Sequence, residues 1–158
     1  MTLKEITSYL EAIAPLRFQE GYDNSGLLYG SPEKQITGAV ISLDCTEEVV
    51  QEAKDLGYNL IISHHPIIFH GLKRFSSNYY VDKTIVKAIK EDIAIYAIHT
   101  NLDNVLSNGV NEKIALKLHV KELQLLGSKN ESGRQARTVT RTVNPDSQTV
   151  PWEEPDRS

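Results

Sequence analysis

The chain has 158 residues, of which 40% are hydrophobic and 24% charged, and its formal net charge at pH 7 is −4. Such a length and composition are ordinary for one globular domain with a hydrophobic core. The negative charge gives no electrostatic reason to expect a nucleic-acid or anionic-membrane partner.

The first predicted element is an amphipathic helix. Thr2 and Glu5 form a T-x-x-E capping box at its start, and Pro15 helps to end it. Its apolar face carries Leu3, Ile6, Leu10 and Ile13. The glycine-punctuated stretch that follows, residues 21–30, contains a short predicted strand at 26–29.

Beyond residue 30, predicted strands alternate with predicted helices. The strands cover residues 36–43, 60–63 and 93–98, and the helices end near Leu56, Lys90 and Leu118. The second of these helices starts at about Val81, and Gly57 stops the first as a C′ glycine. This order predicts parallel strands with right-handed crossovers. We therefore expect an α/β fold with a mostly parallel sheet and helices on both faces.

The composition changes near Gly127. Among residues 128–158, only Ala136, Val139, Val143, Val150 and Trp152 are apolar. Such a segment buries too little apolar surface to offset its conformational entropy. We therefore expect a domain over residues 1–127 and a disordered or loosely attached tail over residues 128–158.

The sequence also indicates a cellular compartment. A single cysteine, Cys45, excludes an internal disulfide and a cysteine-rich zinc site, which fits a reducing cytoplasm. The first residues lack the apolar run of a signal peptide, and no apolar run approaches the roughly 18 residues that a membrane helix needs. We therefore expect a cytoplasmic protein without a membrane partner.

Two adjacent histidines, His64 and His65, end the apolar strand just before Pro66. Ligands bind at the strand ends of open α/β sheets, and neutral imidazole is the commonest metal ligand. Neighbouring side chains of a regular strand point to opposite faces, so one alternative is a core histidine beside a surface histidine. Where the strand ends before a proline, however, both rings could flank one pair of ions.

A second strand ends in His99-Thr100-Asn101-Leu102-Asp103. Asp103 could bridge two divalent ions, whereas the alternative is a helix cap or turn residue. His99 could face the substrate or support a ligand from behind. With His64 and His65, these residues predict a metal site at one edge of the sheet.

Other polar residues are weaker candidates. Asp44 closes a third strand and either holds a ligand histidine or caps the following helix, and the cap is the favoured interpretation. Thr46 is the other candidate for that cap. Residues 23–26, DNSG, form a turn signature whose polar groups could face a cleft. Lys73 and Arg74 could meet a phosphate, although a solvated loop is the safer interpretation. His70 and His119 are expected at the surface.

Four segments, in this order and spacing, carry a family resemblance: YDNSGLLYG at 22–30, ISLDCTEEVV at 41–50, IISHHPIIFHGLK at 61–73 and AIHTNLDNVLSNGVN at 97–111. The chain resembles, over residues 1–127, the dinuclear-metal family known as GTP cyclohydrolase I type 2 or NGG-interacting-factor-three-like. The resemblance implies that His64, His65 and Asp103 bind metal.

The same resemblance implies two divalent ions, and zinc, manganese, iron, nickel and cobalt all suit such ligands. It also implies a homohexamer and hydrolysis of a guanine nucleotide with release of formate. In that reaction His99 would be an acid, a base or a residue that supports a ligand.

This family completes its site with a histidine and a glutamate four residues later, near the end of a longer chain. No histidine follows Gly127 here, and His119 with Glu122 has a different spacing. We therefore expect the N-terminal part of such a protein, with an unrelated or out-of-frame tail and a metal site short of donors. The alternatives are another metal-dependent hydrolase of nucleotides or phosphoesters, a non-catalytic metal-binding or interaction module, and a gene fragment without function.

Overall fold

The structure, a computed structural model, describes residues 1–76, 78–120, 122–125 and 138–141, the last two ranges as strand backbone. Its helices are α1 (Leu3–Ile13), α2 (Glu47–Asp55), α3 (Tyr80–Lys90), α4 (Thr100–Asp103) and α5 (Val110–Lys117), with a 3-10 turn at Leu16–Phe18. Its strands are β1 (Gly26–Tyr29), β2 (Ala39–Ser42), β3 (Leu60–Ser63), β4 (Ala94–Ala97), β5 (Glu122–Leu125) and β6 (Thr138–Arg141).

Four strands form the main sheet, in the order β1-β4-β3-β2. Strand β3 pairs in parallel with both β2 and β4, whereas β1 pairs antiparallel with β4. The predicted α/β fold with a mostly parallel sheet is therefore confirmed. The antiparallel direction of β1 is a feature that the chain order alone did not predict.

The register of this sheet aligns the strand ends. Ser42 lies opposite Ser63, and Ser63 lies opposite Ala97, so β2, β3 and β4 end at the same level. Gly26, the first residue of β1, also lies opposite Ala97 because β1 runs the other way. The residues after three strands and before the fourth therefore meet at one edge of the sheet.

Helices cover both faces of the sheet. On one face, α2 and α3 contribute Val50 and Ile85 to a core that includes Ile61 and Ile95 of the strands. On the other face, α1 places Leu3 against a cluster completed by Leu60, Ala94 and Tyr96. Alternate residues of β3 and β4 thus enter opposite cores, which explains why these strands are apolar throughout.

Local hydrogen bonds explain where the elements begin. Helix α1 begins after the predicted capping box, in which the Thr2 N–H donates to Glu5 Oε2 over 2.7 Å and the Glu5 N–H donates to Thr2 Oγ1 over 3.3 Å. Strand β2 is shorter than predicted, because the N–H of Thr37 donates to the Asn59 side chain over 2.9 Å rather than to a strand.

No helix within the described part of the chain combines the length and apolarity that crossing a membrane requires.

The predicted tail is described only at Thr138–Arg141. This strand, β6, pairs antiparallel with β5, so that Glu122 lies opposite Arg141 and Leu125 opposite Thr138. The predicted boundary at Gly127 and the remainder of residues 128–158 lie outside the described residues.

Candidate metal centre

Three histidine rings meet at the aligned strand ends. The ring centroid of His64 lies 5.1 Å from the ring centroid of His65 and 5.1 Å from that of His99. The centroids of His65 and His99 are 5.5 Å apart. One ring nitrogen of each lies within 4.8 Å of the other two. The structure therefore brings together the histidines of both predicted strand ends.

The backbone explains why His64 and His65 share one side. The N–H of His64 donates to the carbonyl of Ser42 over 3.0 Å, and the next N–H, of His65, donates to that of Leu43 over 2.9 Å. In a regular parallel strand, consecutive residues alternate in direction, so two consecutive bonds to the same neighbour mark the end of the alternation. The interpretation of one core and one surface histidine therefore does not apply.

In each of the three rings, the Nδ1 atom lies within hydrogen-bond distance of an oxygen. His64 Nδ1 lies 2.9 Å from the carbonyl oxygen of Ile98, His65 Nδ1 lies 2.7 Å from Asp44 Oδ1, and His99 Nδ1 lies 2.9 Å from Asp23 Oδ1. A ring that donates its Nδ1 proton to such an oxygen presents the lone pair of Nε2 on its other side. Metal-binding histidines are held in this way, so the donor set fits a divalent ion.

Asp103 adds a carboxylate to the group. It is the last residue of α4, and its Oδ1 lies 3.8 Å from His64 Nε2. The N-cap of α4 is His99, so Asp103 does not cap this helix. The Asp103 N–H instead donates to the carbonyl of His99 over 3.1 Å, which leaves the carboxylate beside the ring.

The favoured interpretation of Asp44 as a helix cap is wrong. Thr46 is the N-cap of α2, and its side-chain oxygen accepts from the N–H of Val49 over 3.4 Å. Asp44 precedes this cap by two residues and reaches His65 instead. It therefore acts in the alternative role, as the residue that holds a histidine of the cluster.

Asp23 is the site residue that sequence reasoning missed as a histidine partner. Its side chain is fully buried beside His99 and also accepts from Ser25 Oγ over 2.8 Å and the Thr100 N–H over 3.1 Å. Burial alone raises its pKa, but hydrogen bonds from Thr100, His99, Ser25 and the Asn24 N–H outweigh this and lower the pKa to about 2. The DNSG signature was the available signal.

The remaining weaker candidates are surface residues. His70, Lys73, Arg74 and His119 are exposed, as expected. Cys45 is buried, and burial raises the pKa of its thiol to about 12, which removes it as a nucleophile. The Phe69 ring, 6.4 Å from that of His99, forms an apolar wall next to the cluster.

Comparison with known proteins identifies a family that this chain matches. The model of the family Duf34/NIF3 (NGG1p interacting factor 3) matches residues 1–148. A Clostridium perfringens protein named GTP cyclohydrolase 1 type 2 homolog is 42% identical over 114 residues, which are 72% of this chain and 43% of that protein. A Staphylococcus aureus (strain MRSA252) protein of the same name is 40% identical over 131 residues, which are 83% of this chain and 35% of that protein.

A solved structure supports the same relationship. The crystal structure of a Bacillus cereus protein related to NIF3 matches with a TM-score of 0.74 and 42% identity, over 80% of this chain and 35% of that one. The chain therefore spans less than half of the length of these relatives.

Proposed function

The chain belongs to the Duf34/NIF3 family, and from this premise we propose that it binds divalent metal ions through His64, His65 and Asp103. One observation carries the proposal: His64 and His65 each engage an oxygen through Nδ1, which leaves Nε2 of each ring available to an ion. Histidines that bind a metal are usually oriented in this way, by a hydrogen bond from the other ring nitrogen to an oxygen.

The proposed ligands divide between two ions. His64 and His65 would each hold one ion, and the Asp103 carboxylate, 3.8 Å from His64 Nε2, would bridge them. Imidazole with carboxylate suits zinc, manganese, iron, nickel or cobalt. The remaining coordination positions would be filled by water, by substrate or by groups of another chain.

We propose hydrolysis of a guanine nucleotide as the reaction, because the curated relatives are named GTP cyclohydrolase 1 type 2 homolog. Bound divalent ions would lower the pKa of a coordinated water and polarise the substrate. His99 would accept a proton at Nε2, since its Nδ1 is engaged by Asp23. Attack of one water at the imidazole carbon of the base would open the ring to a formamide, and a second water would hydrolyse that amide and release formate.

A metal-binding module without turnover is the second candidate. Among the residues that the structure describes, three carboxylates pair with the histidines. Those of Asp23 and Asp44 are already engaged by Nδ1 atoms, which leaves Asp103 for an ion. A dinuclear centre needs more donors than these three ligands to neutralise and saturate its ions. Binding without turnover therefore follows if no further groups complete the site.

Turnover assays separate these candidates from a hydrolase of other phosphoesters. The metal-loaded protein is incubated with GTP, other nucleotides and simple phosphoesters, with manganese or zinc present, and formate and phosphate are measured. Formate from GTP, absent in His64→Ala and retained in His119→Asn, supports the cyclohydrolase proposal. Phosphate alone supports the phosphoester hydrolase, whereas bound metal without either product supports the module.

We further propose that the chain self-associates in the cytoplasm, with the homohexamer of the family resemblance as the expected state. Ile41 and Leu43 lie on the edge strand β2 and beyond it, and they are 81% and 61% exposed. Light scattering on the wild type and on Ile41→Asp tests this: a large assembly that the substitution dissociates supports it, and a monomeric wild type contradicts it.

A further inference from the structure

The Asp23 carboxylate is held on both of its oxygens. Oδ1 accepts from the Asn24 N–H over 2.7 Å and from His99 Nδ1 over 2.9 Å. Oδ2 accepts from Ser25 Oγ over 2.8 Å, from the Thr100 N–H over 3.1 Å and from the Thr100 hydroxyl. The carboxylate therefore has little freedom to rotate, and its position fixes where the His99 ring can bind.

Neighbouring bonds fix the direction of this network. Thr100 Oγ1 accepts from the Glu20 N–H over 2.9 Å, so its single proton is left for Asp23. The His99 N–H is held by Asn101 Oδ1 over 2.9 Å, which anchors the backbone from which the ring extends. Hydrogen bonds thus hold both the backbone and the ring of His99.

Sheet topology places Asp23 there. Asp23 and His99 are 76 residues apart, but antiparallel pairing puts Gly26 opposite Ala97, so the residues before β1 lie next to those after β4. Asp44 reaches His65 from the parallel strand β2 on the other side of β3. The two edge strands of the main sheet thus each deliver one carboxylate to one histidine.

We propose that Asp23 is a positioning residue, which holds His99 in the Nδ1–H tautomer with the lone pair of Nε2 turned toward His64 and His65. A charge-assisted hydrogen bond to Nδ1 favours that tautomer by more than about tenfold. The ring can then meet a proton or an ion at Nε2 without first exchanging tautomers. The catalytic consequence rests on the proposed function, whereas the tautomer itself does not.

A purely structural role for Asp23 makes a different prediction. If Asp23 only anchored the start of α4 through Thr100, its loss would lower stability and leave the tautomer of His99 unchanged. Thr100→Val is the matched control, because it removes one hydroxyl donor to Asp23 and keeps the carboxylate beside His99. Asp23→Asn removes the charge and allows the amide N–H to donate to Nδ1, which favours the Nε2–H tautomer.

Long-range ¹H–¹⁵N correlation spectra of the metal-free chain, labelled with ¹⁵N-histidine, report the tautomer of each ring. We expect His99 as Nδ1–H in the wild type and in Thr100→Val, with the Nε2–H form rising at least tenfold in Asp23→Asn. An unchanged His99 tautomer in a folded Asp23→Asn overturns the proposal. If Asp23→Asn does not fold, the wild type and Asp23→Glu decide instead. An Nε2–H form of His99 in the wild type overturns the proposal. An Nδ1–H form of His99 in both the wild type and Asp23→Glu supports the proposal.

Failure of the metal site is visible separately in the same spectra. Zinc added to the wild type should shift the Nε2 signals of His64 and His65. Unshifted signals would contradict the proposed function, while the His99 tautomer would still decide the role of Asp23.

Discussion

The Nδ1 atom of His65 lies 2.7 Å from Oδ1 of Asp44, across 21 residues of chain. The contact follows from the sheet, because Ser42 and Ser63 are partners in parallel β2 and β3 and the next residues of both strands leave the sheet together. Asp44 thereby sets the orientation of one proposed metal ligand without being a ligand itself.

Asp44→Ala should weaken zinc binding by about 10–100-fold, because His65 would lose the acceptor that holds its ring and tautomer. Competition with a chelating dye measures this affinity. Asp55→Asn, on the exposed surface of α2, is the control and should bind zinc like the wild type. Equal affinities for the wild type and Asp44→Ala would contradict the role given to Asp44.

Asp23 should make stability depend on acidity. Its pKa is lowered from 3.8 to about 2 in the folded chain, so the carboxylate stabilises the fold above about pH 4 and that contribution is lost as the pH falls toward 2. Asp23→Asn should therefore lower the free energy of unfolding by about 1–2 kcal/mol near neutral pH and by much less near pH 2. Urea unfolding at several pH values checks this, and a pH-independent difference would count against it.

Two strand ends of the site were predictable because their signal is local. An apolar run followed by His64-His65-Pro66, and another followed by His99, mark strands whose ends align whenever the strands are parallel. Asp44 was assigned wrongly because Thr46, two residues later, is an equally good cap in sequence. The cap was decided by which residue takes the extended backbone before α2, with φ −116° and ψ 170° at Thr46.

The role of Asp23 was not predictable because it depends on a distant pairing. Its contact with His99 requires β1 to run antiparallel to β4, and nothing within residues 21–30 specifies that direction. The early start predicted for β2 failed for a similar reason, since Asn59, 22 positions away, takes the N–H of Thr37.

Gly30→Ala should destabilise the fold by about 2–3 kcal/mol. A Cβ at this position would lie 2.8 Å from the Cβ of Ala94 and 3.0 Å from Cδ2 of Leu3, and the backbone has φ +135°. Thermal unfolding gives the comparison with Gly71→Ala, where a Cβ meets nothing within 4 Å. Similar unfolding midpoints for the two variants would contradict the close approach of Gly30 to Ala94 of β4 and Leu3 of α1.

Ile61→Ala should cost about 2–5 kcal/mol, because Ile61 is fully buried between β3 and the helices α2 and α3. Ile114→Ala, on α5 and 49% exposed, should change the free energy of unfolding by only about 0.5 kcal/mol. Denaturant titration of both variants measures the contrast. A free energy of unfolding that Ile61→Ala leaves unchanged would contradict the assignment of Ile61 to the core.

Elemental analysis of the purified chain tests the metal centre most directly. The wild type, His65→Ala and His119→Asn are loaded with zinc or manganese, dialysed and measured per mole of protein. We expect about two ions in the wild type and in His119→Asn, and a clear loss in His65→Ala. Metal in the wild type no higher than in His65→Ala would contradict the proposal that this cluster of histidines is a metal site.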